Sequence, residues 1–237
     1  GHRARELVSV MKKVFKIIAE AAVSYYDDLL HLVLMGIVTL VSCLLVLPGP
    51  FALAGLWYVA HRAVRRTSIY WQDYWEGVKR YGLRAWGVIL IVLLGYFLIL
   101  SNIWFYNTPQ VSPIDNDSIV LVITSFWIAM TLLWTCMAFY VSAALIEQEA
   151  GGLWLAVRNS IFLTFVHPIP TLMWVIFSGV LLAVSVLIPI LLFVTPAYIT
   201  VLSFTGFRTL VLPLLEEHEV EAVLVEEEEA DRMEKGA

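Results

Sequence analysis

IVLVITSFWIAMTLLWTCMAFYVSAALI, residues 119–146, runs for 28 positions without one Asp, Glu, Lys or Arg. About 20 apolar residues carry a helix across the ~30 Å hydrocarbon layer of a bilayer, so this stretch alone is long enough to make lipid the solvent of the chain. Two further blocks lack those residues as well, Trp86 to Tyr106 and Pro168 to Phe207. The whole sequence of 237 residues is 60% hydrophobic and only 15% charged, against about a quarter charged in ordinary soluble domains. Ionisable groups inside a membrane usually mark proton relays and ion paths, and these blocks have none. Ion-coupled transport chemistry is therefore not expected.

Working outward from residues 119–146, the preceding loop 107–118 is polar, with two prolines and two aspartates but no Lys or Arg. Before it, 86–106 reads as another span, and upstream 29–47 and 51–66 read as two more, parted by Pro48-Gly49-Pro50. Proline lacks a donor and restricts the residue before it, which ends a helix there. The stretch after Ile169 is too long for one crossing and contains Pro189 and Pro196, which divide it into 169–188 and 197–215. The expectation is an all-α, polytopic bundle of about six transmembrane helices.

Residues 1–28 are expected to lie in the interface as an amphipathic helix. Leu7, Val10, Met11, Val14, Ile17, Ile18, Ala21, Ala22 and Tyr25 share one face, with Lys12, Lys13, Lys16 and Glu20 off it. A second such helix precedes the third span, with Trp71, Tyr74, Trp75, Val78, Tyr81 and Ala85 on one side and Gln72, Asp73, Glu76, Lys79 and Arg80 on the other. No cleavable signal is expected, because the first apolar run starts only near Leu29 behind a charged stretch. Residues 216–237 hold 10 of the 20 acidic residues, and such a charge block is expected to be solvated and disordered.

Charge also orients the bundle. Residues 1–28 carry five Lys or Arg and 62–84 carry six, against none in 107–118, so the positive-inside rule places both termini in the cytoplasm. Arg62, Arg65, Arg66, Lys79, Arg80 and Arg84 then form a basic cytoplasmic layer beside aromatic anchors. Each surface cation near anionic head groups contributes about 1 kcal/mol, so these six are the candidate contacts for anionic lipid or a protein partner. The bilayer already supplies the anions, and nucleic acid is not an expected partner.

An internal echo suggests a repeat. Pro50 precedes Arg62 by twelve residues and Pro196 precedes Arg208 by the same twelve, while Trp75-x-x-Val78-Lys79 is matched by Trp154-x-x-Val157-Arg158.

Val46-Leu47-Pro48, the run from Ala52 to Tyr58 leading into Arg62, Arg65 and Arg66, and the helix Tyr74-Trp75-Glu76-Gly77-Val78-Lys79-Arg80 together resemble the YesL-like integral membrane proteins of bacteria. The likeness covers mainly residues 37–86 and, more loosely, the six-span layout. It implies a protein of the bacterial cytoplasmic membrane with a transport-accessory role.

The remaining candidates point away from catalysis. Asp27, Asp28 and His31 bracket a span start, where carboxylates suit the helix dipole. They lack the further ligands a metal site requires. His61 and His167 read as wetted interfacial side chains, and Cys43 and Cys136 as small core residues. Neither a G-x-S-x-G elbow nor a phosphate loop occurs, so no enzyme activity, cofactor or metal is expected. Asn102, Thr124, Ser125, Thr131, Thr135, Ser178, Thr195 and Thr200 read as packing residues that bond across or along helices. The sequence thus favours a non-enzymatic scaffold or transport-accessory protein, with a transporter or channel for a small neutral or amphipathic solute, sited near Pro189 and Pro196, as the alternative.

Overall fold

The structure, a computed structural model, describes residues 2–114, 116–148 and 152–211, apart from the side chains at 1–10, 13, 24 and 27. The acidic tail and residues 212–215 of the last expected span lie outside the described residues. The described chain is a helical bundle: α1 (His2–Asp27), α2 (Leu29–Leu44), α3 (Gly49–Val64), α4 (Trp71–Asn107), α5 (Asp117–Glu147), α6 (Leu153–Val166), α7 (Pro168–Leu187), a 3-10 turn (Pro189–Phe193) and α8 (195–211).

Among the described residues, three helices, α4, α5 and α7, are long and apolar enough to cross a membrane. α2 and α3 have 16 residues each, about 24 Å at 1.5 Å per residue and short of the ~30 Å hydrocarbon thickness. α2 stops at Leu44, earlier than the expected 47, because Val46 takes a left-handed φ of 56° and Pro48 follows. α3 closes on a Schellman motif: the Arg66 N–H donates to the Ala63 carbonyl at 2.9 Å and the Thr67 N–H to the Arg62 carbonyl at 3.1 Å, with Arg66 at φ 53°.

The expected surface helix before the third span is continuous with that span. α4 runs unbroken for 37 residues, since nothing between Arg84 and Val88 removes a donor and the glycines at 82 and 87 are covered by Phe51 and Leu153. Its first half packs antiparallel on α3. Gly55 and Gly77 permit the approach: a Cβ on Gly77 would stand 2.5 Å from the Tyr58 Cβ, and one on Gly55 would stand 2.9 Å from Tyr74. The second half pairs with α5, where Trp134 lies on Gly95 and its Nε1 donates to the Val92 carbonyl at 3.1 Å. This hairpin leaves Leu93, Phe97, Leu121 and Phe126 exposed, as lipid-facing helices do.

The core draws on α3, the first half of α4, the second half of α5, α7 and α8, and Trp174, Tyr74, Tyr81, Tyr140 and Phe204 are the bulkiest fully buried side chains among the described residues. α1 docks on this body by its predicted stripe, with Val14, Ile17, Ala21 and Tyr25 buried, whereas Met11 and Ala22 remain exposed. Tyr25 meets Tyr198 edge-on at 5.8 Å, and the Tyr198 hydroxyl donates to the Ile18 carbonyl at 3.1 Å.

Seven of the eight polar residues assigned to packing are hydrogen-bonded within or between helices. Thr124 accepts from Asn107, Thr135 pairs with Tyr96 at 2.8 Å, Thr195 pairs with Ser185, and Asn102, Ser125, Thr131 and Thr200 donate to carbonyls one turn back. The Ser178 hydroxyl is buried without such a partner. Cys136 is in the core as expected. Cys43 is exposed at the α2–α3 tip instead, because α2 turns its Leu32, Met35 and Thr39 face inward.

Candidate functional site

Charged side chains gather at the end of the bundle where α3 and α8 finish, α5 finishes and α4 begins. Glu147, the last residue of α5, is the first charge after the long apolar block, and its side chain is 14% exposed. Its Oε2 accepts from Arg65 Nη2 at 2.7 Å, and its Oε1 lies 3.1 Å from His61 Nδ1 and 3.7 Å from Arg208 Nε. The His61 contact has ion-pair distance but not hydrogen-bond alignment. A carboxylate at a helix C-terminus opposes the helix dipole, and the cations brought by α3 and α8 compensate for it.

A second pair stands beside the first. Arg62 Nη1 reaches Asp73 Oδ1 at 3.1 Å, while Asp73 Oδ2 accepts the Tyr70 N–H at 2.8 Å and so caps α4. Arg62 Nη2 also donates to the Ser68 carbonyl at 3.1 Å, and Arg208 Nη1 to the Val64 carbonyl at 3.4 Å. The His61 ring stacks near Tyr58 and meets Phe204 edge-on. Four helices are thereby tied through two carboxylates.

This arrangement divides the six predicted basic residues. Arg62 and Arg65 turn into the ion-pair junction. Arg66, Lys79, Arg80 and Arg84 remain on the exposed surface, with Arg80 lying over the Tyr81 ring at 5.4 Å. Trp71 and Trp75, read as part of one aromatic face with Tyr74 and Tyr81, are 43% and 47% exposed, while Asp73, read on the opposite polar face, is 7% exposed. The physical reason is steric: Gly77 and Gly82 mark the face on which α3 packs, which rotates the inward stripe to Asp73, Tyr74, Gly77, Tyr81 and Ala85. A shallow groove lined by Gln72, Trp75, Glu76, Lys79 and Arg80 results on the outer side.

His61 is buried at 9% exposure rather than wetted. His31 is exposed, and Asp28 caps the start of α2 through its carbonyl. The His167 carbonyl accepts from the Thr171 hydroxyl at the α6–α7 junction. Glu147 escaped the sequence reading, although one signal was present: it is the first charge bordering a 28-residue neutral block.

The echo motifs occupy like positions. Pro50 and Pro196 sit in the first turn of α3 and α8, and Arg62 and Arg208 sit at the far ends of those helices, each against a carboxylate. Trp75 and Trp154 are both exposed, Val157 is buried, Val78 is packed on the core, and Lys79 and Arg158 face outward.

Compared with known proteins, the chain matches no family model, no curated protein and no solved structure.

Proposed function

We propose that this chain is a non-enzymatic component of the bacterial cytoplasmic membrane, with both termini cytoplasmic, that holds anionic lipid head groups or a membrane protein partner at its basic rim. The observation that carries the reading is the division of the basic residues. Two arginines are consumed in holding the bundle together, whereas Lys79, Arg80 and Arg84 stay exposed on the helix that also exposes Trp71 and Trp75. Amphipathic aromatic rings beside cations suit the head-group layer. A transport-accessory role, which the resemblance to the YesL-like proteins implies, is compatible with such a platform.

Native mass spectrometry of the protein released from mixed phosphatidylglycerol and phosphatidylcholine membranes tests it. Preferential retention of the anionic lipid is expected. Replacing Lys79, Arg80 and Arg84 together by Gln should weaken that retention roughly a hundredfold, at about 1 kcal/mol per cation, and raised salt should do likewise. Equal retention of both lipids by the unaltered protein would refute head-group binding.

A further inference from the structure

We propose that the acidic segment 216–237 docks on its own chain, in the α4 groove of Gln72, Trp75, Glu76, Lys79 and Arg80, and there competes with anionic head groups. The contact itself does not require head-group binding; the competition rests on that reading.

The end of α8 brings the segment close to this groove. Arg208, three residues before the end of α8, lies 3.7 Å from Glu147 and donates to the Val64 carbonyl at the end of α3. α3 in turn meets the start of α4 through Arg62 and Asp73 at 3.1 Å, and the Tyr58 hydroxyl donates to Glu76 in the groove at 3.3 Å. The groove thus stands two helix neighbours away from α8, about 20 Å at ~10 Å between packed axes. Val223 follows Val211 by twelve residues, and at ~3.3 Å per residue that length of chain reaches up to about 40 Å.

Charge supplies the attraction. Residues 216–237 hold ten Asp or Glu and two Lys or Arg. An anionic membrane surface repels such a segment, whereas Arg66, Lys79, Arg80 and Arg84 present exposed cations on the same molecule. Glu76 is the one acidic side chain lining the groove, and it accepts from Tyr58. Tethering keeps the segment at roughly millimolar local concentration, so a modest affinity suffices.

The order of apolar and charged residues matches as well. Val223, Leu224 and Val225 directly precede Glu226, Glu227, Glu228 and Glu229, and on α4 the half-exposed Trp75 precedes Lys79 and Arg80. Those two cations lie four and five residues after the tryptophan, about 6–8 Å along a helix. Glu226 and Glu227 lie two and three residues after Leu224, about 7–10 Å along an extended chain. With the aliphatic residues on the Trp75 ring, the glutamates reach the cations, and Arg84 stands one turn further on.

Nitroxide pairs on the full chain test the contact, with Gln72→Cys and Ala222→Cys in a Cys43→Ser/Cys136→Ser background. In phosphatidylcholine vesicles at low salt, double electron–electron resonance should give one distance within about 20 Å, the span of two packed helices. Replacing Glu226, Glu227, Glu228 and Glu229 together by Gln alters no residue of the bundle and should abolish that distance, as should raised salt. A broad, long distribution in the unaltered segment, a short distance that survives the replacement, or one seen only between mixed singly labelled copies would overturn the docking. Native mass spectrometry from mixed phosphatidylglycerol and phosphatidylcholine membranes reads the competition. The four-glutamine variant should retain phosphatidylglycerol about three- to tenfold more strongly than the unaltered protein, since its tethered competitor is gone, and unchanged retention would overturn the competition. If neither form prefers phosphatidylglycerol, the head-group reading fails instead, and the nitroxide distance still decides the docking.

Discussion

Glu147 stands at the end of a helix whose dipole disfavours it, at the edge of a 28-residue block with no other charge, and Arg65, Arg208 and His61 converge on it. Partly buried pairs of this kind are costly to break from one side, because the remaining charges lose their partner, although the half-exposed Arg65 limits the effect through solvent screening. Glu147→Gln is expected to lower stability by about 2–4 kcal/mol, read as a fall in melting temperature in detergent, with Glu147→Asp falling less. An unchanged melting point would mean that the junction contributes nothing. Arg66 offers the converse case. Its φ of 53° puts a non-glycine residue in the left-handed position that ends α3. Arg66→Gly should raise stability by about 1 kcal/mol, the strain a side chain incurs there, and a lower melting temperature would contradict that assignment.

Among the elements, close packing through glycine sets the angles. α3 reaches α4 only because Gly55 and Gly77 have no side chain, and α4 reaches α5 only because Trp134 lies over Gly95, where a Cβ would be 2.2 Å from the indole. Gly77→Ala and Gly95→Ala should each destabilise by about 1–3 kcal/mol, the usual result of overpacking. Gly179→Ala, with open space around its Cβ position, is the control and should be neutral or slightly stabilising, since alanine favours helix. Equal melting temperatures for all three variants would show that the helices can slide apart at no cost. The same rule explains the continuity of α4. Glycines in a helix usually weaken it, but here they are contact points, so the surface helix and the span fuse into one rod of about 55 Å.

For the molecule as a whole, the asymmetry of charge decides what can meet water on each side. The described Lys and Arg residues lie in α1, at the α3 end, in the first half of α4, in α6 and at the α8 end, and none lies in the α4–α5 connection. Trypsin added to sealed inverted vesicles is expected to cut at the exposed 65–66 and 79–84 positions, while the same protease on right-side-out spheroplasts should leave the chain intact. The reverse pattern would invert the orientation read from the positive-inside rule. α1 lies against the bundle, its Val14–Tyr25 stripe docked there and Lys16 paired with Glu20 at 3.6 Å on its exposed side.

The sequence by itself determined the membrane-spanning apolar character of this protein, the all-helical fold class, the proline hairpin breaks and the stretches in which basic residues collect. Each of these follows from local composition: a run of neutral apolar residues, a missing N–H, a surplus of Lys and Arg. It did not determine which face of residues 71–85 turns inward, because glycine carries no hydrophobic signal and the packing of α3 on Gly77 and Gly82 overrode the aromatic stripe. Nor did it reveal that Glu147, 82 residues away from Arg65 in the chain, is that arginine's partner. Pairing between distant residues is a property of how helices cross, so only the tertiary structure could convert one basic layer into an internal ion-pair junction and an exposed basic surface.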